Sequence, residues 1–209
     1  MNLINEDEIA QQKSHLRQQY KQVLNSLQMN NQIQIISTQV CHLVQENWDL
    51  IIGKNKNILF YWPFGSEIDL KPLIIQALQN NKKAYLPFSP SKNQIAYTQI
   101  NLQHFNNSGT ALKKGIWGNL EAFDKNYLTD FKIPDLVFVP ALAFDQSFNR
   151  LGRGLGFYDR LLANLHINCQ VYGLIPNILF LPPHSIPKQA WDFAVPNIIT
   201  EKQIIISNQ

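Results

Sequence analysis

The chain has 209 residues, of which 45% are hydrophobic and 16% charged, with a formal net charge of +3. That length and apolar content suit one globular domain spanning 1–209. The charge is too small and too dispersed for a nucleic-acid partner, and without an apolar run of eighteen residues no membrane span is expected. The opening M-N-L-I-N-E-D-E is acidic and lacks a signal-peptide pattern, so a cytoplasmic protein is expected. Cys41 and Cys169 fall in apolar-patterned segments and read as buried free thiols, not as a disulfide or a metal pair.

Along the chain, Ile9, Leu16, Tyr20, Val23, Leu24 and Leu27 recur at helical spacing and predict a helix over 6–28. A second helical pattern covers 31–51. Asn57 to Trp62 is a short apolar run closed by Pro63 and reads as a strand. Asp69 to Gln79 predicts a helix with Pro72 in its first turn. Ala84 to Phe88 and Gln94 to Leu102 read as strands. Residues 103–133, with Gly109, Gly115 and Gly118, form a long irregular connection, the type of segment that often serves as a lid or binding loop. Val137 to Val139 and Val171 to Ile175 predict central strands, Phe157 to Leu165 a helix, Pro176 to Pro187 a loop, and Phe193 to Thr200 a last strand. Strands alternating with helices imply an α/β fold: an open, mostly parallel sheet with helices on both faces. Ligands bind at the carboxyl ends of such strands. That edge should carry Pro63–Glu67, Phe88–Lys92, the loop after Val139, and Ile175–Asn177.

The most informative stretch is 140–160, P-A-L-A-F-D-Q-S-F-N-R-L-G-R-G-L-G-F-Y-D-R. Gly152, Gly154 and Gly156 alternate with Arg153 and Leu155, and Arg150 precedes them. A strand, a glycine-arginine loop and a helix start hold phosphate well. Backbone amides approach closely, the helix end is partly positive, and arginine forks grip oxygens in pairs. The spacing is neither G-x-G-x-x-G nor a Walker A loop. A surface turn with solvated arginines is the competing reading.

Other candidates have two readings each. Lys13 and Arg17 share a helix face and are either a phosphate-binding pair or a solvated surface. Glu67, at a strand end, either accepts N–H groups of a heterocycle or caps a turn. Asp159, in the first turn of the helix after the loop, is either a magnesium neighbour or an acid suited to the helix dipole. Asp192 is either a second magnesium neighbour or a turn aspartate. Trp62, Phe64, Phe88, Trp117, Phe157 and Tyr158 are aromatics near the expected cleft that either stack on a flat ligand or fill core. The five histidines form no ligand cluster, and no nucleophile motif is present. Chemistry would then fall to the bound substrates, with the protein aligning them and neutralising charge.

The stretch V-P-A-L-A-F-D-x-x-x-N-R-L-G-R-G-x-G-F-Y-D-R resembles the signature of 5-formyltetrahydrofolate cyclo-ligases, also called methenyltetrahydrofolate synthetases. K-x-x-x-R at Lys13 and Arg17, S-E-I-D at Ser66 to Asp69, G-I-W-G at 115–118, I-P-x-x-x-W-D at Ile186 to Asp192 and I-I-T-E at Ile198 to Glu201 follow in matching order. The resemblance implies ATP- and magnesium-dependent ring closure of 5-formyltetrahydrofolate to 5,10-methenyltetrahydrofolate. The formyl oxygen would attack the γ-phosphate, and nitrogen 10 would then attack the iminium phosphate and expel phosphate.

It implies that Arg150 and Arg153 serve the chemistry, and that Lys13, Arg17, Arg150, Leu151, Gly152, Arg153, Gly154, Leu155, Gly156, Phe157 and Tyr158 bind ATP. Glu67, Trp62 and Tyr158 would bind the folate, and Asp159 and Asp192 would hold Mg2+. It also implies a sheet similar to that of sugar-phosphate isomerases and CoA transferases, and small-molecule partners only; a monomer is expected. Phe148, Leu155, Phe157, Leu70, Ala122 and Leu181 depart from the family pattern. These departures motivate the alternative of a catalytically weak folate- or nucleotide-binding member. A sugar-phosphate isomerase, with Asp145 and Asp159 as its carboxylates, is a third reading.

Overall fold

Two helices open the chain in a computed structural model that describes residues 6–91, 94–105, 112–115, 120–122 and 127–207. Helix α1, Glu6–Met29, has Glu6, Asp7 and Glu8 in its first turn, where the helix dipole favours acids. Asn31, at φ 55°, breaks the chain before α2, Gln32–Glu46. Helix α2 buries Ile33, Ser37, Val40, Cys41 and Val44, a stripe at helical spacing. The single helix expected over 31–51 is in fact two. Asn47 turns its side-chain amide onto the Leu43 carbonyl at 2.9 Å and interrupts the ladder before α3, Trp48–Ile51.

Strand β1 covers Asn57–Leu59, shorter than the run to Trp62. Helix α4, Lys71–Gln79, carries Pro72 in its first turn as expected, and Asp69 Oδ1 accepts the Lys71 N–H at 3.0 Å. Strands β2, Lys83–Phe88, and β3, Ala96–Ile100, pair antiparallel. In the long connection, the described part holds a 3₁₀ turn at Leu102–Phe105 and a small pair, β4, Leu112–Lys114, with β5, Leu120–Ala122. Gly109, Trp117 and Gly118 lie outside the described residues.

Strand β6, Leu136–Pro140, is followed by three elements in quick succession: β7, Ala143–Asp145; β8, Arg150–Leu151; and α5, Phe157–Leu162. Then come β9, Gln170–Leu174; β10, Phe180–Leu181; β11, Asn197–Ile199; and β12, Ile204–Ile206. The main sheet runs β12-β11-β9-β6-β1-β2-β3. Its five inner strands are parallel, and only the edges β12 and β3 run antiparallel. Leu136, Val137, Phe138 and Val139 of β6 are all buried. Successive strand side chains point to opposite faces, so both faces of the sheet centre are covered.

The C-terminal part of the chain departs from expectation in two places. Pro176 to Pro187 is not all loop, because Phe180 and Leu181 pair parallel with Phe144 and Asp145 in a second sheet, β10-β7-β8. The last strand is also shorter than Phe193 to Thr200, and an unforeseen β12 follows it. The Thr200 hydroxyl accepts the N–H groups of Lys202 and Gln203 at 3.2 Å each, which turns the chain back.

The β7–β8 hairpin is built on Asp145, which is fully buried. Its Oδ1 accepts the Ser147 and Asn149 N–H groups at 3.0 Å each. Its Oδ2 accepts the Asn149 side-chain amide at 3.1 Å and the Ile186 N–H at 3.0 Å. The turn places Phe148 at φ 63°, a left-handed conformation that glycine adopts without strain. Behind the hairpin, Gly173 of β9 lies directly against the Phe144 ring.

Candidate active site

The ends of β1, β2 and β6 and the segment after β8 border one cavity of about 320 Å³. Trp62, Phe64 and Glu67 reach it from the turn after β1, Pro87 from β2, and Pro140 and Ala141 from the end of β6. Lys13 and Arg17, four apart on α1, enter from one side, and Gln189, Trp191 and Asp192 come from the loop before β11. The glycine-arginine segment forms another wall. Arg150, Gly152, Arg153, Gly154, Leu155, Gly156, Phe157, Tyr158 and Asp159 all line it.

Leu151 does not. It is fully buried in β8, because neighbours in a strand face opposite ways and Arg150 takes the cavity side. Ile175–Asn177 does not reach the cavity either; the Asn177 N–H is held by Glu201 Oε2 at 2.7 Å. Phe88 is buried and packs edge-on against Tyr127. Trp117 and Lys92 lie outside the described residues. Gln189 and Trp191 were missed by the sequence reading. The I-P-x-x-x-W-D motif carried a signal for Trp191, which remains 52% exposed, whereas Gln189 falls on one of its unspecified positions.

The charges on the wall are paired. Lys13, only 3% exposed, forms an ion pair with Asp192 Oδ2 and also donates to Gln189 Oε1 at 3.4 Å. The Gln189 N–H donates to the same Asp192 oxygen at 2.7 Å and fixes its direction. Arg150 Nη2 donates to both oxygens of Asp159, at 3.0 and 2.9 Å, and its guanidinium stands 5.5 Å from the centre of the Tyr158 ring. Arg150 Nε is buried with no hydrogen-bond partner among the described residues. Arg153 Nε donates to Glu67 Oε1 at 3.1 Å, and Arg153 Nη2 donates to the Phe64 carbonyl at 3.2 Å. Arg17 Nε donates to the Gly152 carbonyl at 3.0 Å.

Two groups are shifted by this setting. Burial lowers the pKa of the Arg17 guanidinium, with Asp192 and Asp159 opposing and Arg150 adding to the shift. Burial raises the pKa of the Glu67 carboxyl, opposed by Arg153 and by the Phe64 N–H, which donates to Oε2 at 3.0 Å.

The loop follows from its glycines. Gly154 sits at φ 96°, with the Arg17 guanidinium 3.4 Å from where a β-carbon would stand. A side chain there would be strained and would crowd Arg17, which among the described residues is the cavity cation without an ion pair.

Asp159 and Asp192 are two carboxylates on this wall, paired with Arg150 and Lys13, whose oxygens have the chemistry to hold a hard cation. Magnesium commonly takes one or two carboxylates together with substrate phosphates, so the donor set fits. Among the described residues no three histidine, cysteine or acidic side chains converge as a closed metal cage.

Several departures from the family pattern lie away from the cavity. Leu70 is buried at the start of α4, Leu181 sits in β10, and Phe148 occupies the hairpin turn. Ala122 is the last residue of β5. Leu155 and Phe157 are the departures that line the wall. Asp145 is saturated by four hydrogen bonds from within the hairpin and the 186 loop and has no place as a catalytic base.

A parallel sheet whose carboxyl edge carries four cations, three carboxylates and aromatic walls defines an α/β protein suited to a ligand both anionic and flat. The sequence profile of the 5-formyltetrahydrofolate cyclo-ligase family matches residues 9–201, and the chain belongs to that family. A 5-formyltetrahydrofolate cyclo-ligase of Haemophilus influenzae is 29% identical over 161 residues, covering 74% of this chain and 80% of the relative. A probable cyclo-ligase of Schizosaccharomyces pombe is 23% identical over 202 residues, covering 90% and 97%. The NMR structure of a 5,10-methenyltetrahydrofolate synthetase from Aquifex aeolicus superposes with a TM-score of 0.72 at 26% identity, covering 94% of this chain and 93% of that one.

Proposed function

We propose that the chain closes the ring of 5-formyltetrahydrofolate to give 5,10-methenyltetrahydrofolate, with ATP converted to ADP and phosphate. The observation that carries this reading is the one wall that gathers Lys13, Arg17, Arg150 and Arg153 beside Glu67 and the aromatics. Phosphoryl transfer asks the protein for alignment and charge neutralisation more than for a nucleophile, and this wall has that chemistry.

In this reading Lys13, Arg17, Arg150 and Arg153 hold the triphosphate, with the backbone of 152–158 around it. Glu67 accepts N–H groups of the pterin, and Trp62 and Tyr158 flank the folate. The formyl oxygen attacks the γ-phosphorus, and ADP leaves. Nitrogen 10 then attacks the formyl carbon, and the oxygen departs with the phosphate. Arg150 and Arg153 stabilise charge on the transferring group and draw off the leaving phosphate. Magnesium, held by Asp159 and Asp192, would neutralise phosphate charge when bound.

The chain acts as a single-domain cytoplasmic monomer on small molecules, and its sheet belongs with those of sugar-phosphate isomerases and CoA transferases. The test is a spectrophotometric assay with 5-formyltetrahydrofolate, magnesium and ATP, following the near-ultraviolet band of the methenyl product. ATP-dependent growth of that band is expected. Its absence in protein that binds both substrates by calorimetry would leave the binding-only alternative.

A further inference from the structure

Among the described residues, every carboxylate on the cavity wall is held by a cation of the same wall. The Arg153–Glu67 pair differs from the other two because it joins the segment assigned above to the nucleotide with the residue assigned to the pterin. Both oxygens of Glu67 are engaged. Oε1 accepts from Arg153 and Oε2 from the Phe64 N–H. The side chain of Glu67 is only 9% exposed, so water does little for it, whereas that of Arg153 is 35% exposed and can be approached by an anion. The Arg153 guanidinium also covers the Phe64 ring, 5.4 Å from its centre, and bonds the Phe64 carbonyl. One arginine thus clasps the whole 64–67 turn to the phosphate wall.

A flat heterocycle that offers two adjacent N–H groups needs both oxygens of a carboxylate. While Arg153 holds Oε1, one acceptor site on that oxygen is filled and the charge of Glu67 is already countered, so the carboxylate is a weaker acceptor for those N–H groups. A triphosphate is the stronger partner for an exposed guanidinium, and taking Arg153 removes the counter-charge from a buried carboxylate. That carboxylate then gains most from fresh donors.

We propose that the Arg153–Glu67 pair is a latch across the cleft: phosphates draw Arg153 away, and the freed Glu67 then accepts the pterin. The two substrates therefore bind synergistically, and by linkage each raises the affinity of the other by the same factor. This rests on the substrate assignment of the preceding section.

The experiment is calorimetry of 5-formyltetrahydrofolate binding to the intact protein, alone and with saturating magnesium and a non-hydrolysable ATP analogue. A third titration replaces the analogue with inorganic tripolyphosphate, which lacks base and sugar. In the wild-type protein both polyphosphates should lower the folate Kd by about tenfold, within the usual 5–150-fold range of such couplings. In Arg153→Met, which keeps an apolar stem against Phe64 but carries no charge, the ratio should fall to about one at saturating analogue. A merely structural role for Arg153 would weaken binding and leave the ratio unchanged.

A wild-type ratio below about two, or a full ratio retained in Arg153→Met, would overturn the latch. If such a protein still forms the methenyl product, the substrate assignment survives and only the latch falls. If folate binds under none of these conditions, both fall. The tripolyphosphate arm needs only the wild-type chain, so it stands whether or not the variant folds.

Discussion

Gly173→Ala tests how tightly the site is braced from behind. A β-carbon on Gly173 would stand 2.3 Å from Phe144 Cζ and within 3 Å of both Cε atoms. Ordinary contact requires the ring to retreat by about 1 Å or more. Phe144 is fully buried in β7, flanked by β8 on one side and β10 on the other. Overpacking of this type costs about 1–3 kcal/mol, and the fixed ring puts this case near the upper end. Against a total stability of roughly 5–15 kcal/mol, that is a large fraction. At about 2–4 °C per kcal/mol for a chain of this size, the melting temperature should drop by about 6–12 °C. The effect should reach the chemistry, because Phe144 pairs in register with Arg150. Thermal melts followed by circular dichroism, with methenyl formation measured on the same protein, provide the assay. The double variant with Phe144→Leu should recover part of both losses. A drop of less than about 1 °C would refute the argument, because it would mean the ring yields freely.

Three further outcomes are expected. Arg150→Ala strips Asp159 of its paired cation and should lower kcat by about 100- to 1000-fold, the scale of losing one preorganised donor, while folate Kd by calorimetry stays within about twofold. An equal loss of folate affinity would contradict the assignment of Arg150 to the nucleotide. The pH dependence of Glu67 has a definite sign. Burial raises its pKa above the ordinary 4.5, so its contribution to stability is complete below 4.5 and is lost as pH rises through the folded value. Glu67→Gln has no such loss, and urea titrations should show the variant gaining on the wild type as pH rises above the ordinary 4.5; a gain in the other direction would refute the sign. Cys41 and Cys169 are both free, and burial pushes each thiol up to about 12. A colorimetric disulfide reagent at about pH 8 should therefore react with native protein far more slowly than with protein unfolded in guanidinium.

The long periodic elements were legible in the sequence. Helix α1 showed its apolar stripe, and Pro72 marked the start of α4. Strand β6 showed the unbroken apolar run of a strand covered on both faces. The β7–β8 hairpin was not legible. Its strands are too short for a period, and Asp145 draws one donor from Ile186, which is 41 positions away. The motif made 150–158 look like one continuous cradle, yet the alternation of a strand sends Leu151 into the core while Arg150 faces the cavity. The same limit applies to the charges. Sequence reasoning assigned the cations to phosphate and the acids to magnesium, and it had no view of their pairing with one another. Arg150 and Asp159 are 9 positions apart, Arg153 and Glu67 are 86 apart, and Lys13 and Asp192 are 179 apart. Only the fold brings such partners together.

The last of these pairs sets a timetable for biosynthesis. Lys13 is synthesised 179 residues ahead of its partner. At about 5–20 residues per second, helix α1 waits roughly 9–36 s for the aspartate that neutralises its lysine. Late in that interval the emerging chain holds most of its core-forming strands, while the cationic pocket still lacks Gln189, Trp191 and Asp192. A nascent chain stalled before residue 189 should therefore be folded in large part yet unable to turn over substrate, and activity should switch on only once the 189–192 segment has been made.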